Sequence, residues 1–267
     1  MPGEYGCVAD KPWDSALGEL TRLQNTLAMD PITIAGLHAM KREGRKIVGV
    51  VAWDAPMAEL AERAGVDFLS VGDSVGKNLW GHATETEVTV DEMLVVCKAV
   101  RRGAKRALVS CDVPGGADAM SAARRLVDEG RADMVKVHAS PEVVGQLARA
   151  GITVYAEFHG ARPIAELVDE AKRLEGAGAA MLDFRHSGPD AGAAVTKAVK
   201  IPVIGGLGGG PWLDGRVRMA HAAIGYGMSW LDSNVETYAH VASIVQAALA
   251  AYAEDVRAGR QLKGQRG

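Results

Sequence analysis

Several absences narrow the field before any motif is read. The 267 residues hold only three cysteines, Cys7, Cys97 and Cys111, widely spaced and with no C-x-x-C pair. That excludes a disulfide framework and a zinc knuckle, and reduced thiols are expected. Aromatic residues are 5% of the chain, too few for an aromatic-rich sandwich core. No run approaches the roughly 20 apolar residues of a membrane span. Residues Met1 to Asp14 have neither a basic nor an apolar leader segment. Charge of one sign is lacking too: 30 basic against 33 acidic side chains give a net charge of −3, no attractive field for a polyphosphate backbone. A cytoplasmic protein with no nucleic-acid and no membrane partner is expected.

What is present is a globular composition, 48% hydrophobic and 24% charged, with 32 glycines. From Lys46 onward, short β-branched apolar runs alternate with helical patterns, the signature of βα units around a parallel sheet. Strands are expected at Lys46–Trp53, Asp67–Asp73, Ala107–Val113, Met134–Ala139, Thr153–His159, Ala180–His186 and Pro202–Gly208, with a weaker eighth at Ala223–Trp230. Helical spacing marks Ala55–Ala64, Val90–Arg102, Ala117–Glu129, Pro163–Ala177 and Tyr238–Arg257. The expected fold is α/β, a (β/α)8 TIM barrel over residues 46–260. Residues 1–45 form an N-terminal helical extension, Trp13–Ala28 and Ile32–Glu43, the second begun by Asp30 as cap and Pro31 in the first turn. That extension is expected to cover the barrel's N-terminal mouth, and the basic, Gly-rich tail 261–267 to fray.

Many expected strands end in a polar residue: Asp73, Asp112, His138, Glu157, His159 and Arg185. Barrels of this kind place their chemistry at those C-terminal ends. The segment Val71 to Lys77 is not a phosphate loop, because its glycines are too close and Asn78 stands where a hydroxyl is needed. It delivers Asp73 and Ser74 instead. Two carboxylates on neighbouring strands repel unless a cation lies between them, so Asp73 with Asp112 is a candidate site for a hard metal. Each could otherwise cap a following helix. Lys136, inside an apolar strand, needs an anion, either a substrate carboxylate or one of the aspartates. The two-residue strand period puts Lys136 and His138 on one face, Glu157 and His159 on one, and Asp183 and Arg185 on one. Such pairs suit a buried ion pair or acid/base work. The run Gly205–Gly210 does not match G-x-G-x-x-G and is expected to form a close-approach loop.

Ile32-Thr33, Met40–Val48, Ala52–Pro56, Ala64–Gly76, Lys98–Val109, Met134–Val137, Ile201–Gly205 and Val256–Arg260 together resemble the ketopantoate hydroxymethyltransferase family, in the same order along residues 31–260. The resemblance implies a cytoplasmic homo-oligomeric barrel of the phosphoenolpyruvate mutase/isocitrate lyase superfamily. Its implied activity is aldol-type transfer of a one-carbon unit from 5,10-methylenetetrahydrofolate to a small 2-oxo acid. It further implies that Asp73 and Asp112 bind a divalent metal, usually magnesium, and that Ser74 and Lys136 hold the oxo-acid carboxylate. A bound metal would act as a Lewis acid on the enolate formed at C3.

Three positions depart from the family pattern. The family has a metal-assisting glutamate where this chain has His138. It has a histidine in a G-H-[IL]-G context where this chain reads Ala156-Glu157-Phe158-His159. Its catalytic glutamate falls on Arg185, and a guanidinium cannot serve as that base. The expectation is a divergent paralogue in which Glu157 or His159 handles the proton and Arg185 binds a second anionic group. If His138 ligates directly, manganese, iron, cobalt or zinc suits the site as well as magnesium. Two other readings stay open: a retro-aldol lyase or hydrolase of a 2-oxo acid or diacid, and a non-catalytic ligand-binding subunit. Glu157 separates them, since a closed Glu157–Arg185 pair would point to an inert or very different site.

Overall fold

A computed structural model describes residues 30–138, 140–206 and 209–260. The expected helix Trp13–Ala28 and the tail 261–267 lie outside them. The chain forms two compact units divided after Val217.

The strands form a closed parallel barrel in sequence order, seven of them wholly within the first unit. These are β1 (Ile47–Val51), β2 (Phe68–Val71), β3 (Leu108–Asp112), β4 (Met134–Val137), β5 (Val154–His159), β6 (Ala179–Arg185), β7 (Val203–Gly205) and β8 (Gly215–Met219). Helix α1 (Ile34–Glu43) precedes them. The connecting helices are α2 (Ala55–Arg63), α3 (Val90–Gly103), α4 (Ala119–Asp128), α5 (Pro141–Arg149), α6 (Ile164–Ala177) and α7 (Pro189–Ala198).

Inward-facing residues at the strand starts build the barrel floor. Ile47, Phe68, Leu108, Met134, Tyr155, Met181, Ile204 and Val217 form one cluster with Leu37 and Met40 of α1. Helix α1 therefore plugs the N-terminal mouth, because Leu37 and Met40, one turn apart, share its apolar face. Three carboxylates pin neighbouring strands in register at this end. Val48 N donates to Asp67 at 2.9 Å, Val109 N to Asp133 at 2.8 Å and Val203 N to Asp214 at 2.8 Å. Lys41 of α1 completes the arrangement with a 2.8 Å ion pair to Asp214.

Four sequence expectations are corrected. Thr33, not Asp30, caps α1, its Oγ1 accepting from Gly36 N at 3.0 Å. The eighth strand is Gly215–Met219 rather than Ala223–Trp230, which instead falls across a short helix and a 3-10 turn. Gly225 and Gly227, at φ 65° and 111°, break any strand there. Helices α5 and α7 were not expected, and both begin with proline at the first turn. The second unit contains α8 (Ala220–Ile224), a 3-10 turn (Met228–Trp230) and α9 (Val241–Arg257). Helix α9 carries exposed apolar residues at helical spacing, Val245, Leu249, Tyr252 and Val256. No helix among the described residues is long and apolar enough to cross a membrane.

Candidate active site

On four consecutive strands, every second residue climbs from the apolar floor to a charged mouth. Leu108, Ser110 and Asp112 do so on β3, and Met134 and Lys136 on β4, with His138 just beyond. Tyr155, Glu157 and His159 follow on β5, and Met181, Asp183 and Arg185 on β6. Register sets Asp112 beside Lys136, Glu157 beside Asp183, and His159 beside Arg185.

Lys136 is the hub. Its Nζ lies 3.0 Å from Asp112 Oδ2, 3.1 Å from Glu157 Oε2 and 3.5 Å from Asp183 Oδ2. Burial alone would push the ammonium to give up its proton, but Asp112, Asp183 and Glu157 hold that proton and raise its pKa above the ordinary lysine value. The carboxylates divide according to their partners. Asp112 is pushed up to about 7, chiefly by burial, with Lys136 opposing and Asp73 adding repulsion. Burial likewise raises Asp73 and Asp183, the latter accepting from Gly206 N at 3.1 Å. Burial would raise Glu157 as well, yet Lys136 and Arg185 together hold it below the ordinary range. Arg185 Nη1 donates to Glu157 Oε1 at 3.0 Å, so the closed Glu157–Arg185 pair is formed.

The charges do not balance within this cluster. Asp73, Asp112, Glu157 and Asp183 face two cations, Lys136 and Arg185. Asp112 Oδ1 is buried without a hydrogen-bond partner. A Cβ placed on Gly72 would lie 3.0 Å from Ser74 Oγ and 3.8 Å from Asp112 Oδ2, so the glycine leaves that corner open. An orphaned carboxylate oxygen, surplus negative charge and a hydroxyl beside an open corner fit a hard divalent cation. Neither aspartate caps a helix here: Asp118 caps α4, and the Gly76–Trp80 π-helix after Asp73 follows Val75 with no side-chain cap.

His138, expected as a possible ligand alongside Asp73 and Asp112, lies near Glu157 and His159. His138, Glu157 and His159 offer ligand atoms within 4.8 Å of one another, a second group able to hold a metal. Both oxygens of Glu157 already carry a cation, Arg185 and Lys136. His159 Nε2 lies 3.3 Å and His138 Nδ1 3.9 Å from Glu157 Oε1. The two-residue strand period pairs Asp183 with Arg185 on one face. Asp183 is the third carboxylate on Lys136, and its two-residue offset from Arg185 was the signal.

A closed parallel barrel with its ionisable residues gathered at the C-terminal strand ends defines a barrel enzyme of small-molecule type. The ketopantoate hydroxymethyltransferase family model matches residues 31–163 and 157–261. The chain is 37% identical over 244 residues to 3-methyl-2-oxobutanoate hydroxymethyltransferase of Geobacillus kaustophilus (strain HTA426), covering 82% of this chain and 87% of that one. It is 35% identical over 246 residues to the protein of the same name from Listeria monocytogenes serotype 4a (strain HCC23), covering 82% and 88%. Solved structures of the same fold include 2,3-dimethylmalate lyase, a PEP mutase/isocitrate lyase superfamily member. Its TM-score is 0.60 at 13% identity, over 88% of this chain and 91% of that one. Phosphonopyruvate hydrolase in complex with oxalate and Mg++ has a TM-score of 0.58 at 15% identity, over 85% and 88%. The chain belongs to the ketopantoate hydroxymethyltransferase family, whose members are enzymes.

Proposed function

We propose that the protein removes a proton from C3 of a 2-oxo acid and joins the resulting nucleophilic carbon to a one-carbon unit. The surplus of buried carboxylates over cations, with Asp112 Oδ1 left unpartnered, carries this reading. Asp73 and Asp112 would hold a divalent cation, magnesium first and manganese, cobalt or zinc as alternatives. When bound, it supplies stabilisation of the negative charge that builds on the C2 oxygen as C3 loses its proton. A solved neighbour of the same fold binds oxalate with Mg++, and oxalate has the planar shape of a 2-oxo acid enolate.

The remaining work falls to this chain's own side chains. Ser74 and Lys136 take the substrate carboxylate, Lys136 turning one of its three donors away from Asp112. Glu157, pinned by Lys136 and Arg185 and held below the ordinary range, is a poor base. Its role is to orient His159, which lies 3.3 Å away on the mouth side. His159 accepts the C3 proton, the arrangement of a carboxylate-oriented imidazole. The one-carbon donor that the resemblance implies is 5,10-methylenetetrahydrofolate. The protein acts as a homo-oligomer, supported by the exposed apolar row on α9, and multi-angle light scattering at the mass of one chain would count against it.

Proton NMR in D2O tests the chemistry. A panel of 2-oxo acids is incubated with enzyme and Mg2+ or Mn2+, without folate. Metal-dependent loss of C3–H that disappears in Asp73→Asn is expected. The closed Glu157–Arg185 pair favours a second reading, ligand binding without proton transfer. No exchange with any acid that binds would select it.

A further inference from the structure

Three side chains at the rim of β4 and β6, Arg185, His138 and His186, take no part in the proton transfer or in binding the core of a 2-oxo acid. Together with His159, the base of the proposed reaction, they stand outside the carboxylate ring, and all three are hydrogen-bond donors or can be. His159 is the centre of the row. Its ring lies 5.3 Å from His138, edge to face, and 6.3 Å from His186, stacked. Arg185 commits only Nη1 to Glu157; its Nε and Nη2 make no hydrogen bond with the described residues.

The backbone is shaped to present this row. His186 has φ 53°, in the left-handed region that non-glycine residues seldom enter. The turn is held from the β5 side, where Gly160 N donates to Arg185 O at 2.9 Å. A Cβ on Gly160 would come within 2.2 Å of the His186 carbonyl oxygen. A bare residue after β5 and an unusual conformation after β6 together bring two imidazoles into one stack beside a guanidinium. Floor packing requires none of this, because the floor lies at the opposite ends of the strands.

We infer that the substrate carries a second oxyanion on its C3 side, received by the Nε/Nη2 edge of Arg185 with His138 and His186 as neighbouring donors. This rests on the enolisation reading above and names the substrate class for that same site. The planar fork of a guanidinium matches a carboxylate or phosphonate through two parallel hydrogen bonds. An aliphatic substituent at the same place would strip water from Arg185 and the imidazoles and offer nothing in return. The rim thus selects diacids by attraction and rejects monoacids by uncompensated desolvation.

Isothermal titration calorimetry of the Mg2+-loaded full chain tests this with 2-oxobutanoate, 2-oxoglutarate and 3-phosphonopyruvate. At least one two-anion acid is expected to bind tenfold or more tightly than 2-oxobutanoate, and the tighter of the two identifies carboxylate or phosphonate. In Arg185→Met that ratio should fall to within twofold, and Arg185→Lys should recover part of it. Equal affinities in the wild type, or a ratio that survives Arg185→Met, would overturn the inference. If Arg185→Met does not fold, the double substitution Glu157→Gln with Arg185→Met removes the carboxylate left behind and is read the same way. Metal-dependent C3–H exchange of 2-oxobutanoate without a diacid preference would leave the proposed function standing and remove only this inference. Binding of no acid at all would remove both.

Discussion

Substituting Asp112 by asparagine should stabilise the metal-free protein at alkaline pH while destroying its use for a cation. Asp112 titrates at about 7 in the fold against 3.8 for an ordinary aspartate. Between those values the folded chain binds a proton that the unfolded chain does not, so folding stability rises as pH falls through 7. At pH 8, keeping the carboxylate ionised inside the barrel costs about 4 kcal/mol, at about 1.4 kcal/mol per pH unit separating the two midpoints. By pH 5 the cost drops below about 2 kcal/mol. The stability advantage of Asp112→Asn over the wild type should therefore shrink by roughly 2 to 3 kcal/mol between pH 8 and pH 5. Asp73 and Asp183, also raised, are present in both proteins, and the repulsion between Asp73 and Asp112 is already part of the Asp112 shift. Glu157, held low, changes stability only below its ordinary 4.5, outside the range. The assay is urea unfolding in EDTA at several pH values, with equal m-values as the check on two-state comparison. Adding Mg2+ at pH 8 should stabilise the wild type and leave Asp112→Asn unmoved. A gap that is constant with pH, or that widens toward pH 5, would show that Lys136 keeps Asp112 ionised at low cost and would refute the reasoning.

His159→Gln should lower the C3–H exchange rate by about a hundredfold to ten-thousandfold, the usual range for a lost acid/base group, with metal binding retained by calorimetry. An unchanged rate would assign the proton to another residue. Leu37→Ala, in the buried floor contact of α1, should cost about 2 to 5 kcal/mol in urea unfolding and leave the exchange rate at 20 °C intact. A loss of rate without loss of stability would tie α1 to the chemistry.

Much of the barrel was legible because seven strands are short, largely apolar runs, most of them containing valine or isoleucine, bounded by glycine, proline or charged residues. The eighth was not. Gly215-Arg216-Val217-Arg218-Met219 alternates two arginines with short apolar residues, whereas Ala223–Trp230 is richer in aromatics but is cut by Gly225 and Gly227. Helix α7 escaped because an internal glycine and a predominance of alanine blur its apolar stripe, whereas α5, at nine residues with Gly145 inside it, is short but clearly one-sided. Within the site, the period of two correctly paired Lys136 with His138 and Glu157 with His159 on single faces. It could not say which carboxylates reach Lys136. Asp112, Glu157 and Asp183 come from three different strands, and their convergence depends on register and closure, which no local pattern encodes.

The alternation along β3 to β6 has an evolutionary consequence. Each mouth residue stands two or four positions along the strand from a floor residue that anchors it, such as Lys136 after Met134 or Glu157 after Tyr155. Exchanging an acid for a base at the mouth alters reactivity without disturbing the anchor. Lineages can therefore try new chemistries on these strands by single codon changes, each starting from a chain that already folds.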